Sequence, residues 1–226
     1  MDALIISPPI KLFAETSAAG APDRPNTVDS VKYPHFGNYA MNDAAVCGGP
    51  SVIYLAGGCF WGVEKVFSGI PGVAGTECGY ANGYDRIIPD YMTVCSGKFG
   101  YCEAVRVSYD PSVVKLERIL DAFFVIIDPS LLNRQGNDRG IQYRTGIYWA
   151  DEPSGGIVAE YVEKERKKHS EFRTEAGPLI NYFPAEEKHQ HYLDRNPAGY
   201  CHISREEMEH VRRMFSCADS FMHDKE

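Results

Sequence analysis

The side chain best suited to chemistry in this chain is the thiol of Cys59, which lies in the hexapeptide GGCFWG. A cysteine between a glycine pair and a helical segment sits at a helix N-terminus, where free N–H groups and the macrodipole stabilise a thiolate. The pattern therefore predicts a pKa lowered from about 8.5 into the range of roughly 3.5–7.5. Gly58 lets the backbone approach a substrate, and Phe60 and Trp61 offer a wall for a small apolar group. The alternative is a structural cysteine buried among core aromatics.

The hydrophobic pattern predicts the elements that position Cys59. Residues 52–56 form a short apolar run typical of a buried strand, and the glycine pair ends that strand. Apolar side chains at helical spacing follow, and the glycine-containing stretch 69–72 ends the helix. Cys59 is thus expected at a strand–turn–helix junction.

Further strands and helices alternate along the chain. The predicted strands are 73–80, 104–109, 141–150 and 179–183, and the predicted helices are 113–124, 155–172, a turn at 186–193 and a last helix opened by a capping box at Ser204 and Glu207. This order is close to β-α-β-β-α-β. We therefore predict an α+β fold: a two-layer sandwich with a small mixed or antiparallel sheet, a ferredoxin-like core and long coil extensions.

Two regions of different composition predict the domain organisation. Residues 1–50 are rich in Pro, Ala, Ser and Gly and keep no helical or strand period, so we expect an irregular or disordered N-terminal extension. Residues 51–226 are expected to form a single catalytic domain.

Charge and hydropathy exclude several classes of function. The net charge of −8 argues against a nucleic-acid-binding protein, which needs a basic surface. No apolar run approaches the roughly 20 residues that cross a bilayer, and the N-terminus has no basic region followed by a secretory apolar segment. We expect a monomer in the cytoplasm, with an organelle as the open alternative.

Cysteine and histidine spacing gives no sign of a disulfide framework or a metal centre. The seven cysteines are odd in number and include no C-x-x-C pair. His189 and His191 stand near two glutamates, but a spacing of two places them on different helix faces. We predict no metal and no cofactor.

The segment GCFWG resembles the active-site motif of the peptide methionine sulfoxide reductase A family. The resemblance extends over roughly residues 52–203. The further matching blocks are Gly79-Tyr80, Tyr91, Val94-Cys95-Ser96-Gly97, Glu103-Ala104-Val105, Tyr109-Asp110-Pro111, Arg134-Gln135-Gly136-Asn137-Asp138, Gln142-Tyr143-Arg144 and Asn196-Pro197-x-Gly199-Tyr200-Cys201.

The resemblance implies reduction of the S epimer of methionine sulfoxide, free or in proteins, as a repair of oxidised proteins. Cys59 matches the residue that attacks the sulfoxide sulfur, and Glu103 matches the acid that protonates the oxygen, which suits a carboxyl whose pKa is raised in an apolar pocket. The remaining matches are Tyr91 and Tyr143 for the sulfoxide oxygen, Phe60 and Trp61 for the substrate methyl group, and Asp138 for later steps.

The second half of the implied cycle depends on another cysteine. Attack leaves Cys59 as a sulfenic acid, and Cys201 matches the resolving cysteine that condenses with it to a disulfide. This implies a mobile C-terminal segment that reaches Cys59, and a thioredoxin-like partner that reduces the disulfide.

Several positions depart from the family pattern. Tyr101-Cys102 stands where His-Ala is common, and Ile127 replaces a common His. His202-Ile203 and a charged helix follow Cys201 in place of a glycine-rich tail with a further cysteine. We expect Cys217 to be a bystander and Cys102 to be a buried strand residue.

Two other functions compete with this interpretation. A Cys–His hydrolase would use Cys59 with His189 or His191. A non-enzymatic protein that binds methionine-rich partners would use only the Phe60–Trp61 wall.

Overall fold

The computed structural model describes residues 49–84 and 87–216. The expected extension over residues 1–50 therefore lies outside the described residues, apart from Gly49 and Pro50, and so does Cys217.

Strands account for the centre of the fold. The described strands are β1 (Ser51–Gly57), β2 (Val73–Ala81), β3 (Cys102–Tyr109), β4 (Arg134–Gln135), β5 (Asp138–Arg139), β6 (Thr145–Trp149), β7 (Glu175–Pro178) and β8 (Tyr182–Pro184). Six of them form one sheet in the order β7-β6-β1-β3-β2-β8, and β4 and β5 form a separate hairpin. Neighbours in the sheet are antiparallel except for β6 and β7, which are parallel, so the sheet is mixed.

Helices cover this sheet and extend the C-terminal part of the domain. They are α1 (Phe60–Phe67), α2 (Tyr91–Cys95), α3 (Leu116–Ile126), α4 (Glu152–Arg166), α5 (Tyr192–Arg195) and α6 (Arg205–Met214), with short 3-10 turns at Ile141–Tyr143 and Glu187–His189. Helix α1 contacts β1, β2 and β3, while α3 contacts β1, α4 and α6. The predicted α+β class is confirmed. None of the described helices is both long and apolar enough to cross a membrane.

Alternation along the strands divides the apolar side chains between two faces of the sheet. In β1, Ile53 and Leu55 belong to the main core, which also contains Phe67 of α1 and Phe123 of α3. The intervening residues of β1 belong to a smaller cluster on the other face, together with Ala104, Cys102 and Tyr148. The two sides of β1 are both covered, which explains its almost continuous apolar run.

Most predicted elements are present, with shifted ends. The helix predicted at 155–172 spans Glu152–Arg166, so both of its ends lie earlier in the chain. It begins earlier because Asp151 caps its N-terminus by accepting a hydrogen bond from the Ser154 backbone N–H. The strand predicted at 141–150 is a 3-10 turn at first and a strand only from Thr145. The capping box of Ser204 and Glu207 is formed as predicted, and it opens α6.

Candidate active site

Cys59 occupies the N-cap position of α1, directly after β1 and the glycine turn. Gly58 has a φ of +82°, and a Cβ at that position would lie 2.6 Å from the Cβ of Gln135. Only glycine accepts both conditions. The predicted strand–turn–helix junction is therefore present, and the thiol of Cys59 is placed at the N-terminal end of the helix with only 7% of the residue exposed.

The predicted lowering of the Cys59 pKa is wrong for the substrate-free protein. Burial raises the pKa of the thiol well above its ordinary range, and repulsion from Glu103 and Asp138 adds to this. The backbone N–H of Trp61 acts in the opposite direction, as a helix N-terminus should, but it does not compensate for burial. The thiol is thus protonated at neutral pH before substrate enters.

Glu103 is buried under the first turn of α1. It lies in β3 opposite Tyr80 of β2, near the middle of the sheet, and is 1% exposed. One carboxyl oxygen accepts a hydrogen bond of 3.0 Å from the backbone N–H of Phe60. Burial raises the pKa of Glu103 to about 8; the Phe60 N–H opposes this shift and the Asp138 carboxylate reinforces it. The carboxyl is therefore mostly protonated at pH 7 and can donate a proton.

Tyr91 is held in place by a glutamate that the sequence did not identify. Glu186 accepts a hydrogen bond of 3.1 Å from the backbone N–H of Tyr91 and one of 2.7 Å from the hydroxyl of Tyr80. Tyr91 thus begins α2 at a fixed position beside the core. Burial raises the pKa of its hydroxyl, followed by a hydrogen bond with the Cys95 thiol and by the nearby charge of Glu103.

Tyr143 is the last residue of a 3-10 turn, and the buried Arg144 that follows it holds this turn in place through hydrogen bonds. The guanidinium of Arg144 donates to the carbonyl oxygens of Gly100 at 2.9 Å, Ile141 at 3.2 Å and Asn82 at 3.3 Å. It also donates to the Glu175 carboxylate at 3.1 Å. Burial and then the charge of Glu103 raise the pKa of the Tyr143 hydroxyl. Both tyrosines are therefore hydrogen-bond donors at any physiological pH.

Phe60 and Trp61 form an aromatic wall with two residues of the C-terminal segment. The Trp61 ring stacks on Tyr192 with ring centroids 3.8 Å apart, and its Nε1–H donates to Nδ1 of His189 at 3.3 Å. The Phe60 ring lies 5.4 Å from His189 and 6.0 Å from Tyr80. Phe60 and Trp61 thus pack with one imidazole and two tyrosines; that they hold the substrate stays a prediction.

Cys201 lies against the first turn of α1. A Cβ added to Gly62 would be 2.9 Å from the Sγ of Cys201, so the last glycine of GCFWG leaves the space that the thiol occupies. Cys59 and Cys201 are both free thiols in this structure. The two thiols are close enough to interact electrostatically, because the charge of Cys201 contributes to the raised pKa of Cys59.

Asp138 projects into the same region from the β4–β5 hairpin. Its Oδ2 is buried and has no hydrogen-bond partner among the described residues. Its charge acts on Cys59, Glu103 and Cys201, and it raises the pKa of each of them. The structure thus brings every predicted site residue to one region around the start of α1.

Two further cysteines, Cys102 and Cys78, belong to the core, whereas Cys95 contacts the hydroxyl of Tyr91. Cys102 is fully buried on the opposite face of the sheet, 3.8 Å from the hydroxyl of Tyr148, as expected for a strand residue. Cys78 lies beneath α1, where its thiol is 3.8 Å from the Phe60 carbonyl oxygen. Within residues 49–84 and 87–216, His, Cys, Asp and Glu side chains form no group of three or more that could hold a metal ion.

A neutral carboxyl beside a buried thiol, with two phenol donors and an aromatic wall, suits attack on a polarised sulfur–oxygen group. The model of the family described as peptide methionine sulfoxide reductase matches residues 51–218. The chain belongs to the peptide methionine sulfoxide reductase family. This confirms the family predicted from GCFWG and the blocks that follow it.

Relatives within this family match the chain over most of their own length. The peptide methionine sulfoxide reductase MsrA of Clostridium acetobutylicum is 50% identical over 155 residues, which cover 68% of this chain and 95% of that protein. The MsrA of Mycoplasma genitalium is 49% identical over 152 residues, covering 67% and 96%. These relatives support an oxidoreductase that reduces methionine sulfoxide, and they do not favour a Cys–His hydrolase.

Solved structures of this reductase family share the fold. Reduced Mxr1 of Saccharomyces cerevisiae aligns with a TM-score of 0.65 at 35% identity, over 72% of this chain and 93% of that one. Methionine sulfoxide reductase A of Corynebacterium diphtheriae aligns with a TM-score of 0.63 at 37% identity, over 68% and 78%.

Three residues near the site were not assigned to it from the sequence. Glu186 was considered only as a metal ligand, His189 as a metal ligand or as the base of a hydrolase, and Tyr192 was not singled out. Each lies in a short polar segment without periodicity, and each reaches the site through a contact with a residue about 95 to 131 positions away. No local pattern signals such contacts.

Proposed function

We propose that this reductase acts on the S epimer of methionine sulfoxide, free or in proteins, with Cys59 as the nucleophile and Glu103 as the general acid. The observation that carries the proposal is the hydrogen bond from the Phe60 N–H to the buried carboxyl of Glu103. It fixes a neutral acid beneath the helix turn that begins at Cys59. Without such an acid, oxide would be a poor leaving group from the substrate sulfur.

The first step is then balanced within the site. The Cys59 sulfur attacks the sulfoxide sulfur and forms a sulfur–sulfur bond, while Glu103 gives its proton to the oxygen and the thiol proton of Cys59 replenishes the carboxyl. The protonated oxygen then passes from the substrate sulfur to the Cys59 sulfur, and the sulfur–sulfur bond breaks with its electron pair remaining on the substrate sulfur. Cys59 is left as a sulfenic acid, and methionine leaves as the reduced thioether. Because Glu103 is neutral when substrate enters, its repulsion of a developing Cys59 thiolate is absent at that moment.

Substrate orientation comes from groups on both sides of the thiol. The hydroxyls of Tyr91 and Tyr143 hold the sulfoxide oxygen, and their burial supports this because desolvated donors bind an oxygen more strongly. Phe60 and Trp61 hold the methyl group. Gly58, which the sequence predicted to admit the substrate, instead packs against Gln135 and the His202 ring, and its role is to form the turn that places Cys59.

Cys201 resolves the sulfenic acid, with assistance from Asp138. The contact of its Sγ with the space beside Gly62 supports this role, since it places the thiol along the first turn of the helix that starts at Cys59. The C-terminal segment around Cys201 moves to close the disulfide. A thioredoxin-like protein reduces it; Mxr1 of Saccharomyces cerevisiae has itself been crystallised with Trx2.

The architecture proposed for this activity is a two-layer sandwich with a ferredoxin-like core. The core consists of β1, α1, β2, β3, α3 and β6, and the sheet order β6-β1-β3-β2 supports it. We further propose that residues 51–226 act as one catalytic domain, as a monomer in the cytoplasm.

Activity assays with each epimer separately test both the substrate and the nucleophile. Each epimer is supplied with dithiothreitol to the wild type, to Cys59→Ser and to Cys201→Ser. We expect methionine from the S epimer only and none with Cys59→Ser; without dithiothreitol, Cys201→Ser should release one methionine per protein and stop at the sulfenic acid. Equal activity on both epimers, or activity that survives Cys59→Ser, would contradict the proposal.

A further inference from the structure

The ring nitrogens of His202 are buried beside the site, and the residue takes no part in the steps proposed for Cys59 and Glu103. Both ring nitrogens are buried, and among the described residues neither makes a hydrogen bond of regular geometry; the Gly57 carbonyl oxygen is the backbone acceptor that acts on the ring. Buried polar groups in native proteins are almost always paired, so a ring nitrogen without a partner requires an explanation. His202 follows Cys201 directly in the chain.

Two glycines create the space for this ring. A Cβ at Gly58 would lie 3.1 Å from Nε2 of His202, and a Cβ at Gly136 would lie 3.1 Å from its Cβ. Both glycines have positive φ, +82° and +54°. The ring therefore lies between the turn that precedes Cys59 and the β4–β5 hairpin that carries Asp138.

Burial leaves the ring neutral in spite of the charged groups around it. Burial lowers the pKa of His202, while Asp138 on the hairpin, the Gly57 carbonyl at the end of β1 and Glu207 of α6 partly offset this effect. Two titratable thiols are close to the ring along the chain or through a contact. Cys201 directly precedes His202, and Cys59 directly follows Gly58, which the ring contacts. A neutral imidazole has one N–H, which can face the Gly57 carbonyl oxygen, and one unprotonated nitrogen, which can accept a proton.

We propose that His202 transfers the proton in the resolving step between Cys201 and the sulfenic acid of Cys59. The thiol of Cys201 gives its proton to the imidazole as its sulfur attacks the Cys59 sulfur. The S–S bond forms and the S–O bond breaks; the departing hydroxide takes the proton from the imidazolium and leaves as water. The Cys201 sulfur is oxidised and the Cys59 sulfur is reduced to the disulfide level, so no other reactant is needed.

This role rests on the proposed function, because it requires a sulfenic acid on Cys59 and a disulfide with Cys201. It assigns His202 to the second chemical step only. Release of methionine in the first step should not depend on it, since Glu103 supplies that proton.

Single-turnover kinetics of His202→Gln test the proposal. Reduced protein is mixed with methionine S-sulfoxide without a reductant, and methionine release, sulfenic acid trapped by dimedone and loss of the Cys201 thiol are followed between pH 5 and 8. We expect methionine release within about twofold of the wild type, disulfide formation slowed by roughly 10²-fold, and loss of the His-dependent limb from its pH profile. The matched control is His210→Gln, an exposed residue of α6, which should behave as the wild type.

The outcomes separate this proposal from the proposed function. If the wild type releases no methionine, the proposed function fails. If the wild type completes both steps and His202→Gln forms the disulfide at the same rate with the same pH profile, His202 has no role in proton transfer. If His202→Gln also loses methionine release, the residue only maintains the fold of the site, and His202→Asn is measured to confirm that result.

Discussion

The backbone N–H of Phe60 donates a hydrogen bond of 3.0 Å to the carboxyl of Glu103, across 43 positions of the sequence. This bond joins the helix that begins at Cys59 to the central strand β3. The proposed nucleophile and acid therefore cannot move independently. It also leaves the carboxyl with a pKa of about 8, because burial outweighs the single N–H donor.

Glu103→Gln should abolish most of the reductase activity while keeping the hydrogen bond from Phe60. We expect kcat to fall by about 10²–10⁴-fold, the usual worth of a general acid. In the wild type, activity should decline as the pH rises through about 8, since the protonated carboxyl is the active form. Steady-state assays over pH 6–9 test both points. An unchanged alkaline limb in the variant would assign the titration to another group.

The same raised pKa makes the stability of the folded chain depend on pH. Between the ordinary value of 4.5 and about 8, folded Glu103 keeps a proton that the unfolded chain has lost. The free energy of unfolding should therefore fall as pH rises through this window, by up to about 1.4 kcal/mol per pH unit from this group. Urea unfolding at pH 5.5 and 7.5 should show this slope in the wild type and a smaller one in Glu103→Gln.

Gly62→Ala should impair the resolving step and spare the first one. The new Cβ would lie 2.9 Å from the Cys201 Sγ and 3.0 Å from Ile203, so the Cys201 segment must shift. We expect normal methionine release in the first turnover and a several-fold slower disulfide formation, measured by thiol counting. Gly156→Ala in α4 is the matched control, because a Cβ there meets no atom within 4 Å. It should leave both steps intact and stabilise the helix by about 0.5–1 kcal/mol.

Tyr192→Leu should weaken substrate binding without changing the chemical step. The Tyr192 ring stacks on Trp61 at 3.8 Å, and such a contact is worth about 0.5–1.5 kcal/mol. Loss of this support loosens the wall proposed for the substrate methyl group, so KM should rise by roughly 2- to 10-fold at nearly constant kcat. A fall in kcat with unchanged KM would instead link Tyr192 to the reacting atoms.

The sequence predicted those parts of the site that depend on local patterns. The apolar run before Gly57 and the helical spacing after Cys59 suffice to place the thiol at a strand–turn–helix junction, and both elements are present. The matched blocks named the residues that gather around it. A short motif keeps the same local backbone conformation, and this conformation sets the direction of each of its side chains.

Long-range burial is what the sequence could not reveal. The Cys59 pKa was predicted to fall because a helix N-terminus is a local feature, whereas the desolvation that raises it comes from the whole assembled domain. Arg144 converts the first residues of the predicted strand 141–150 into a 3-10 turn through carbonyl contacts with residues as distant as Asn82. Glu186 and Tyr192 act across similar separations, for which periodicity gives no signal.

The position of Cys201 beside the first turn of α1 has a thermodynamic consequence. A bond from Cys201 to Cys59 would close a loop that contains nearly every strand of the sheet. Closing a loop of that size lowers the conformational entropy of the unfolded chain. In the chain-entropy description this raises the free energy of unfolding by about 5 kcal/mol. Each catalytic turnover would thus alternate the domain between a covalently cross-linked, more stable form and an open, less stable one, and the oxidised protein should unfold at a higher urea concentration than the reduced protein.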